Sequence, residues 1–147
     1  MPKILVVDDD GALRFDVTQS LAKWGFETRS APGAILALRV IKEWKPLLVL
    51  CDIYMPHVSG LELKREISKM NIPPTEMGLI FITQLHHSQI DFNNCGVDAD
   101  ACISKPLDYE ILRSKVNAAL RRIRTPQPQE ARATAQTLAP IRSATHT

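Results

Sequence analysis

Four hydrophobic runs of this chain each end in a side chain of a kind used in phosphoryl transfer. The groups are Asp8 and Asp9 after the run 3–7, Asp52 after 47–51, Thr83 after 79–82, and Lys105 after 101–104. If the runs are neighbouring parallel strands, all of these groups meet at one edge of one sheet. Open α/β sheets bind their ligands there, outside the carboxyl ends of the strands.

The types of these residues suggest one particular chemistry. Carboxylates of Asp8, Asp9 and Asp52 brought together would repel one another, so without a cation the pKa of at least one should rise. A hard divalent cation removes that penalty, and Mg2+ fits best because it needs few carboxylates and accepts a phosphoryl oxygen. An Asp carboxylate can itself form an aspartyl phosphate. Lys105 would neutralise the transferred charge, and the Thr83 hydroxyl would donate to a phosphoryl oxygen.

Each group alone also has an ordinary structural explanation. An Asp after a strand is often a turn or helix cap, and Asp10 before Gly11 could be only that. A lone Lys-Pro dipeptide or a Thr at a strand end carries little information. The set favours a functional site, because its members follow one another in order on alternate elements of the predicted sheet.

The elements that must position these residues alternate along the chain. Strands are predicted at 3–7, 26–30, 47–51, 79–82 and 101–104. Helical spacing predicts three helices in the first part of the chain. Their apolar residues are Leu13, Val17, Leu21 and Trp24 in the first, Ile35, Leu38, Ile41 and Trp44 in the second, and Leu63, Ile67 and Met70 in the third. A weakly amphipathic segment then reaches Gly96. The last helix has the apolar stripe Ile111, Leu112, Val116, Ala119, Leu120 and Ile123. Caps are expected at Asp108 and in the capping box Ser59–Glu62. These βα units predict a doubly wound, five-stranded parallel sheet flanked by five helices.

Composition limits the remaining possibilities. The chain has 147 residues and a formal charge of +2, with five Arg against one Glu from Arg121 onward. From Thr125 the sequence loses its periodicity, so 125–147 is predicted to be a disordered tail or linker that phosphorylation does not need.

Cys51, Cys95 and Cys102 lack metal-binding spacing and are interpreted as reduced packing residues. No apolar stretch is long enough for a membrane span, and the start lacks a signal-peptide layout, so we expect a cytoplasmic protein.

The motifs resemble those of the receiver domain of bacterial two-component response regulators, and most closely a stand-alone receiver of the chemotaxis-regulator type. The matching segments are Ile4–Asp10, Asp52–Gly60, Ile82–Thr83 and Ser104–Pro106. The resemblance covers about residues 1–124. It implies a flavodoxin-like fold with strand order 2-1-3-4-5.

The resemblance also implies roles for individual residues. Asp52 would accept a phosphoryl group from a histidine kinase or a phosphotransfer protein. Asp9, Asp52 and the backbone carbonyl of Tyr54 would bind Mg2+ directly, with Asp8 assisting through water. Thr83 and Lys105 would contact the phosphoryl oxygens. The Lys105–Pro106 peptide bond would be cis.

Four residues depart from the family pattern or modify it. Cys102 stands at the switch position, where the family has Tyr or Phe, so signalling by ring rotation is not expected. Gln84 replaces a residue that is usually small beside the phosphoryl site. The resemblance implies that Tyr54 and Leu85 flank the path of the hydrolytic water, and a ring and an apolar side chain there predict slow loss of the phosphoryl group.

Three classes of function stay open. The first is a phosphorylation-dependent signalling module that is not an enzyme and acts on an unknown downstream protein, with homodimer formation undecided. The second is a receiver cut from a longer regulator with a DNA-binding or enzymatic output domain. The third is a phosphatase with Asp8 as nucleophile and Asp10 as acid/base, although Ala12 stands where that family has Thr or Val. The basic residues of the last helix belong to no recognition-helix module, so this chain is not expected to contact nucleic acid directly.

Overall fold

The computed structural model of the chain describes residues 1–73, 75–84 and 102–124. The strands are β1 (Lys3–Val7), β2 (Glu27–Ala31), β3 (Leu48–Asp52), β4 (Gly78–Thr83) and β5 (Cys102–Ser104), and the helices are α1 (Gly11–Lys23), α2 (Ala34–Trp44), α3 (Gly60–Ser68) and α4 (Tyr109–Arg124). The segment predicted to be a helix up to Gly96, Leu85 within it, and the predicted tail 125–147 all lie outside the described residues.

All five strands pair in parallel in one sheet with the order β2-β1-β3-β4-β5. This confirms the predicted doubly wound topology. The described residues contain four of the five predicted helices. β2 begins at Glu27, one residue later than the sequence indicated.

Three of the four described helices, α1, α3 and α4, begin at caps that the sequence indicates. Asp10 accepts hydrogen bonds from the backbone N–H groups of the first turn of α1, and Ser59 does the same at α3. Asp108 accepts two such bonds at the start of α4. These side chains satisfy N–H groups that have no partner within the helix, and so they fix where each helix leaves the sheet edge.

Two apolar cores cover the two faces of the sheet. One lies between the sheet and helices α2 and α3, and the other lies between the sheet and helices α1 and α4. Central strand β3 is buried throughout, as a strand covered on both faces should be.

The predicted apolar stripes of α2 and α4 each contain one error. Ile35 is 75% exposed and Ile111 is 47% exposed, although both were assigned to the buried face. Each lies beside a buried residue, Ala34 or Leu112. Because neighbouring residues point about 100° apart around a helix, the predicted stripe of α2 starts one residue too late, at Ile35 and not at Ala34, and that of α4 is one residue too wide.

Candidate functional site

The register of the sheet brings the predicted site residues to one edge. Val7 pairs with Cys51, so Asp8 and Asp52 leave their strands side by side. Thr83 pairs with Ser104, which places Lys105 just beyond the end of β4. Asp8, Asp52 and Thr83 are the buried polar and charged residues of the described chain.

Lys105 links the two buried carboxylates. Its Nζ lies 3.1 Å from Asp8 Oδ2 and 3.1 Å from Asp52 Oδ2. Its backbone N–H donates to the carbonyl oxygen of Thr83 at 2.6 Å, and the Lys105–Pro106 peptide bond is cis as predicted. The ammonium group is therefore held between the ends of β1 and β3 by a chain segment that is itself tied to β4.

The two carboxylates are also held by backbone groups. The N–H of Asp10 donates to Asp8 Oδ1 at 2.9 Å, and the N–H of Tyr54 donates to Asp52 Oδ1 at 3.1 Å. Each carboxylate thus has one oxygen on a backbone N–H and the other on Lys105. This arrangement orients both groups before any ligand arrives.

The pKa values of two of these groups are raised, but for different reasons. Burial raises the pKa of the Asp8 carboxyl and the charge of Asp52 adds to the rise, while hydrogen bonds from Asp10 and Lys105 oppose it. Burial lowers the pKa of Lys105, but its hydrogen bonds to Asp52 and Asp8 outweigh burial and raise it. The pKa of Asp8 is thus raised, in the direction expected without a cation, with burial as a larger cause than repulsion by Asp52.

The acidic residues form a set that suits a divalent cation. Asp8, Asp9 and Asp52 each offer a carboxylate oxygen, and these oxygens lie within 4.8 Å of one another. Asp9 is exposed while the other two are buried, so the set has an open side. Carboxylate oxygens with room for water and for a further oxygen ligand match what Mg2+ requires.

A crevice of about 410 Å3 opens over this set. Its lining consists of Asp9, Asp10, Asp52, Tyr54, Gln84 and Lys105. The Thr83 side chain is fully buried beside it. Gln84 and Tyr54, which the sequence places next to the site, thus border the route by which a ligand reaches Asp52.

Gly60 is a residue of the site region whose physical role the sequence did not reveal. Its N–H donates to the carbonyl oxygen of Ile53 at 2.8 Å. A Cβ at this position would collide with the carbonyl oxygen of Asp52. The glycine therefore allows the start of α3 to pack directly against the strand end that carries Asp52.

Cys102, at the position where the family has Tyr or Phe, is a small side chain buried in the core. Cys51, Phe81 and Cys102 are neighbours across β3, β4 and β5. All three are buried in the core beneath α2 and α3, and both cysteines are free thiols. Burial raises the pKa of the Cys102 thiol, which suits a packing residue.

The fold and site together define a flavodoxin-like α/β domain with an acidic, lysine-containing crevice at the carboxyl edge of its sheet. The family model of the response regulator receiver domain matches residues 4–117. The chain therefore belongs to the response regulator receiver family, as the motifs suggested.

Relatives and solved structures agree with this assignment. The chain is 31% identical over 119 residues to the phosphate regulon transcriptional regulatory protein PhoB of Pseudomonas aeruginosa, covering 81% of this chain and 52% of PhoB. It is 30% identical over 132 residues to the DNA-binding dual master transcriptional regulator RpaA of Synechocystis, covering 86% and 53%. The chain spans about half the length of these curated relatives.

Among solved structures, the response regulator TrrA of Thermotoga maritima, in complex with Mg2+-BeF, matches with a TM-score of 0.70 and 31% identity, covering 82% of this chain and all of TrrA. A CheY-like receiver from Methanospirillum hungatei matches with a TM-score of 0.74 and 29% identity, covering 86% and 99%. Within the described residues, none of the helices combines the length and hydropathy that a membrane span needs.

Proposed function

We propose that Asp52 is the phosphoacceptor of this receiver domain and takes its phosphoryl group from a histidine kinase or a phosphotransfer protein. The observation that carries the proposal is the placement of the Asp52 carboxylate. It lines the crevice, lies 3.1 Å from the Lys105 ammonium group, and shares a cation-binding set with Asp8 and Asp9.

The proposed transfer requires one bond to form and one to break. A carboxylate oxygen of Asp52 attacks phosphorus, the bond from phosphorus to the donor nitrogen breaks, and the donor keeps the electron pair. Lys105 moves from the carboxylates to a phosphoryl oxygen, and the Thr83 hydroxyl donates to another. Asp9, Asp52 and the backbone carbonyl of Tyr54, with Asp8 nearby, would hold Mg2+, which would supply further charge neutralisation.

The proposed output is a contact with another protein. A covalent phosphoryl group on Asp52 changes the charge and the hydrogen bonding of the crevice around Thr83 and Lys105, and a partner can read this change at the surface. Cys102 has no aromatic ring and little volume, so ring rotation at this position cannot report the change. The chain spans about half the length of its curated relatives, which include a DNA-binding regulator. The second candidate function is therefore that of a receiver in a longer protein with an output domain.

The structure weighs against the phosphatase alternative. The Asp10 carboxylate, which would have to act as acid/base, accepts hydrogen bonds from the N–H groups of Ala12 and Leu13 as the cap of α1. One of its two oxygens, Oδ1, accepts both bonds at the start of the helix, although the residue also lines the crevice. This contact favours the proposal that the protein acts as a phosphoryl acceptor at Asp52.

Labelling by a small acyl phosphate tests the assignment of Asp52. With Mg2+, intact-mass spectrometry should find one added phosphoryl group on the wild type and none on Asp52→Asn. Asp16→Asn is the matched control, because Asp16 is an exposed carboxylate on α1. Label retained by Asp52→Asn, or labelling unaffected by a chelator, contradicts the proposal. Steady hydrolysis of a phosphate ester that stops in Asp10→Asn but not in Asp52→Asn would favour the phosphatase.

A further inference from the structure

Arg14 connects the first helix to the acidic edge of the sheet. It lies in the first turn of α1, and its backbone N–H makes the helical hydrogen bond to Asp10 at 3.0 Å. Its partly buried side chain turns back toward β1, where Nη1 donates to the carbonyl oxygen of Asp8 at 2.7 Å. This bond is short for an N–H donor, as expected when the donor is charged.

The acceptor of this bond determines what Arg14 can do. The carbonyl oxygen of Asp8 belongs to the rigid peptide plane that joins Asp8 to Asp9. A hydrogen bond to that oxygen restricts the rotation of the plane, and the plane sets the direction in which the Asp9 side chain leaves the backbone. Asp9 is the exposed member of the cation-binding set, so its direction depends on the backbone that carries it.

The charge of Arg14 and its geometry have opposite effects on cation binding. A guanidinium is permanently positive, and a positive charge near the acidic set opposes the binding of a second cation. Any benefit that Arg14 brings to the site must therefore come from the orientation it imposes. The two effects can be separated by comparing a substitution that keeps the charge but shortens the reach of the donor with one that removes both the charge and the donor.

We propose that Arg14 is a positioning residue of the cation site, which holds the Asp8–Asp9 peptide so that the Asp9 carboxylate converges with those of Asp8 and Asp52. The inference deepens the proposed function and rests on it. It predicts a larger Mg2+ requirement when the hydrogen bond is lost, with the chemistry at Asp52 unchanged once the cation is bound.

The test compares Arg14→Lys and Arg14→Met with the wild type, all as the full chain. Mg2+ binding is measured by calorimetry, and labelling by acyl phosphate is measured against Mg2+ concentration. Arg14→Lys should bind Mg2+ about tenfold more weakly, the usual effect of removing a residue that orients a metal ligand, and Arg14→Met should be weakened less, because it also loses the opposing charge. Their labelling rates at saturating Mg2+ should equal that of the wild type. Arg39→Met, which removes an exposed positive charge from α2, should bind Mg2+ as the wild type does.

Other outcomes overturn the inference. If Arg14 acts through its charge alone, Arg14→Lys resembles the wild type and Arg14→Met binds Mg2+ more tightly. A lower rate at saturating Mg2+ with unchanged Mg2+ affinity also contradicts positioning. Failure of the proposed function is distinguishable, because the wild type itself would then show no Mg2+-dependent label on Asp52.

Discussion

The two ends of the sheet use cations in different ways. At the carboxyl end, the Lys105 ammonium lies between the buried carboxylates of Asp8 and Asp52. Toward the amino end, Lys3 and Arg29 face the ring of Trp44, with centroid distances of 5.5 Å and 4.9 Å. The Lys3 Nζ also donates to the Trp44 carbonyl at 3.3 Å, while the indole is only 7% exposed.

This difference separates a part of the molecule that stabilises it from a part that carries its chemistry. Cations over an indole gain electrostatic attraction while their charges stay near solvent. Buried carboxylates instead lose hydration, and other groups must replace it. Burial raises the pKa of Asp8, so its ionised form is disfavoured in the fold. Functional sites commonly keep such unfavourable groups, and the rest of the domain compensates.

Truncating Trp44 should have the largest effect on stability. Trp44→Ala removes a buried indole and both cation contacts, so we expect a loss of roughly 3–5 kcal/mol in the free energy of unfolding. Urea unfolding followed by far-UV circular dichroism measures this loss. The labelling rate of Asp52 should be unchanged under conditions in which the variant is folded.

Trp44→Phe is the control, because it keeps an aromatic face at the same position and should lose much less stability. A small effect of Trp44→Ala would show that the amino end does not stabilise the domain. An altered labelling rate in folded Trp44→Ala would show that the two ends are coupled.

Removing the charge of Asp8 should stabilise the domain, which is the opposite of the effect expected for Trp44→Ala. A folded-state pKa above the unfolded one means that folding is penalised at pH values where the carboxyl is ionised. Asp8→Asn should therefore raise the free energy of unfolding by about 1 kcal/mol at neutral pH without Mg2+. The gain should shrink as pH falls through the raised pKa, because the native wild type then takes up a proton and escapes the penalty.

Urea unfolding at several pH values measures this gain, with Asp16→Asn as the exposed carboxylate control. If Asp8→Asn is less stable than the wild type at neutral pH, pairing with Lys105 outweighs burial. Added Mg2+ should stabilise the wild type more than the variant, because it binds the native carboxylate set.

The fold followed from the sequence more completely than the helix faces did. Polar residues after apolar runs mark strand ends clearly, and the parallel order follows once the runs alternate with helices. The buried side of a helix depends on which neighbour it meets, and this is why Ile35 and Ile111 were misplaced. A helical period alone locates a stripe only to within about one residue.

At the site, the residue types were predictable but their contacts were not. Asp8, Asp52 and Lys105 could be grouped because each follows a strand. Arg14 reaches a carbonyl six residues earlier in the chain, which depends on how the loop between β1 and α1 bends. The role of Gly60 depends on how closely α3 approaches the end of β3. Neither property leaves a periodic signal in the sequence.

The smallest expected effect concerns the lifetime of the phosphoryl group. Tyr54 is 56% exposed at the rim of the crevice, so its side chain contributes little to the folded core. Tyr54→Asn should leave the free energy of unfolding nearly unchanged. It should speed loss of the phosphoryl group about threefold, which corresponds to roughly 0.6 kcal/mol in the barrier.

The physical reason lies in how the attacking water is held. The Tyr54 ring lines the crevice that contains Asp52 and gives a water molecule little to bind, whereas the Asn amide can both admit and orient one. Charging should survive the change, because the Tyr54 N–H that holds Asp52 Oδ1 belongs to the backbone, as does the carbonyl proposed to bind Mg2+. Tyr54→Phe keeps the ring and should decay like the wild type. The measurement is the decay of phosphorylated Asp52, followed by intact mass. If Tyr54→Asn decays no faster than the wild type, Tyr54 does not limit the access of water. The carboxyl end of the sheet then sets the lifetime through other residues.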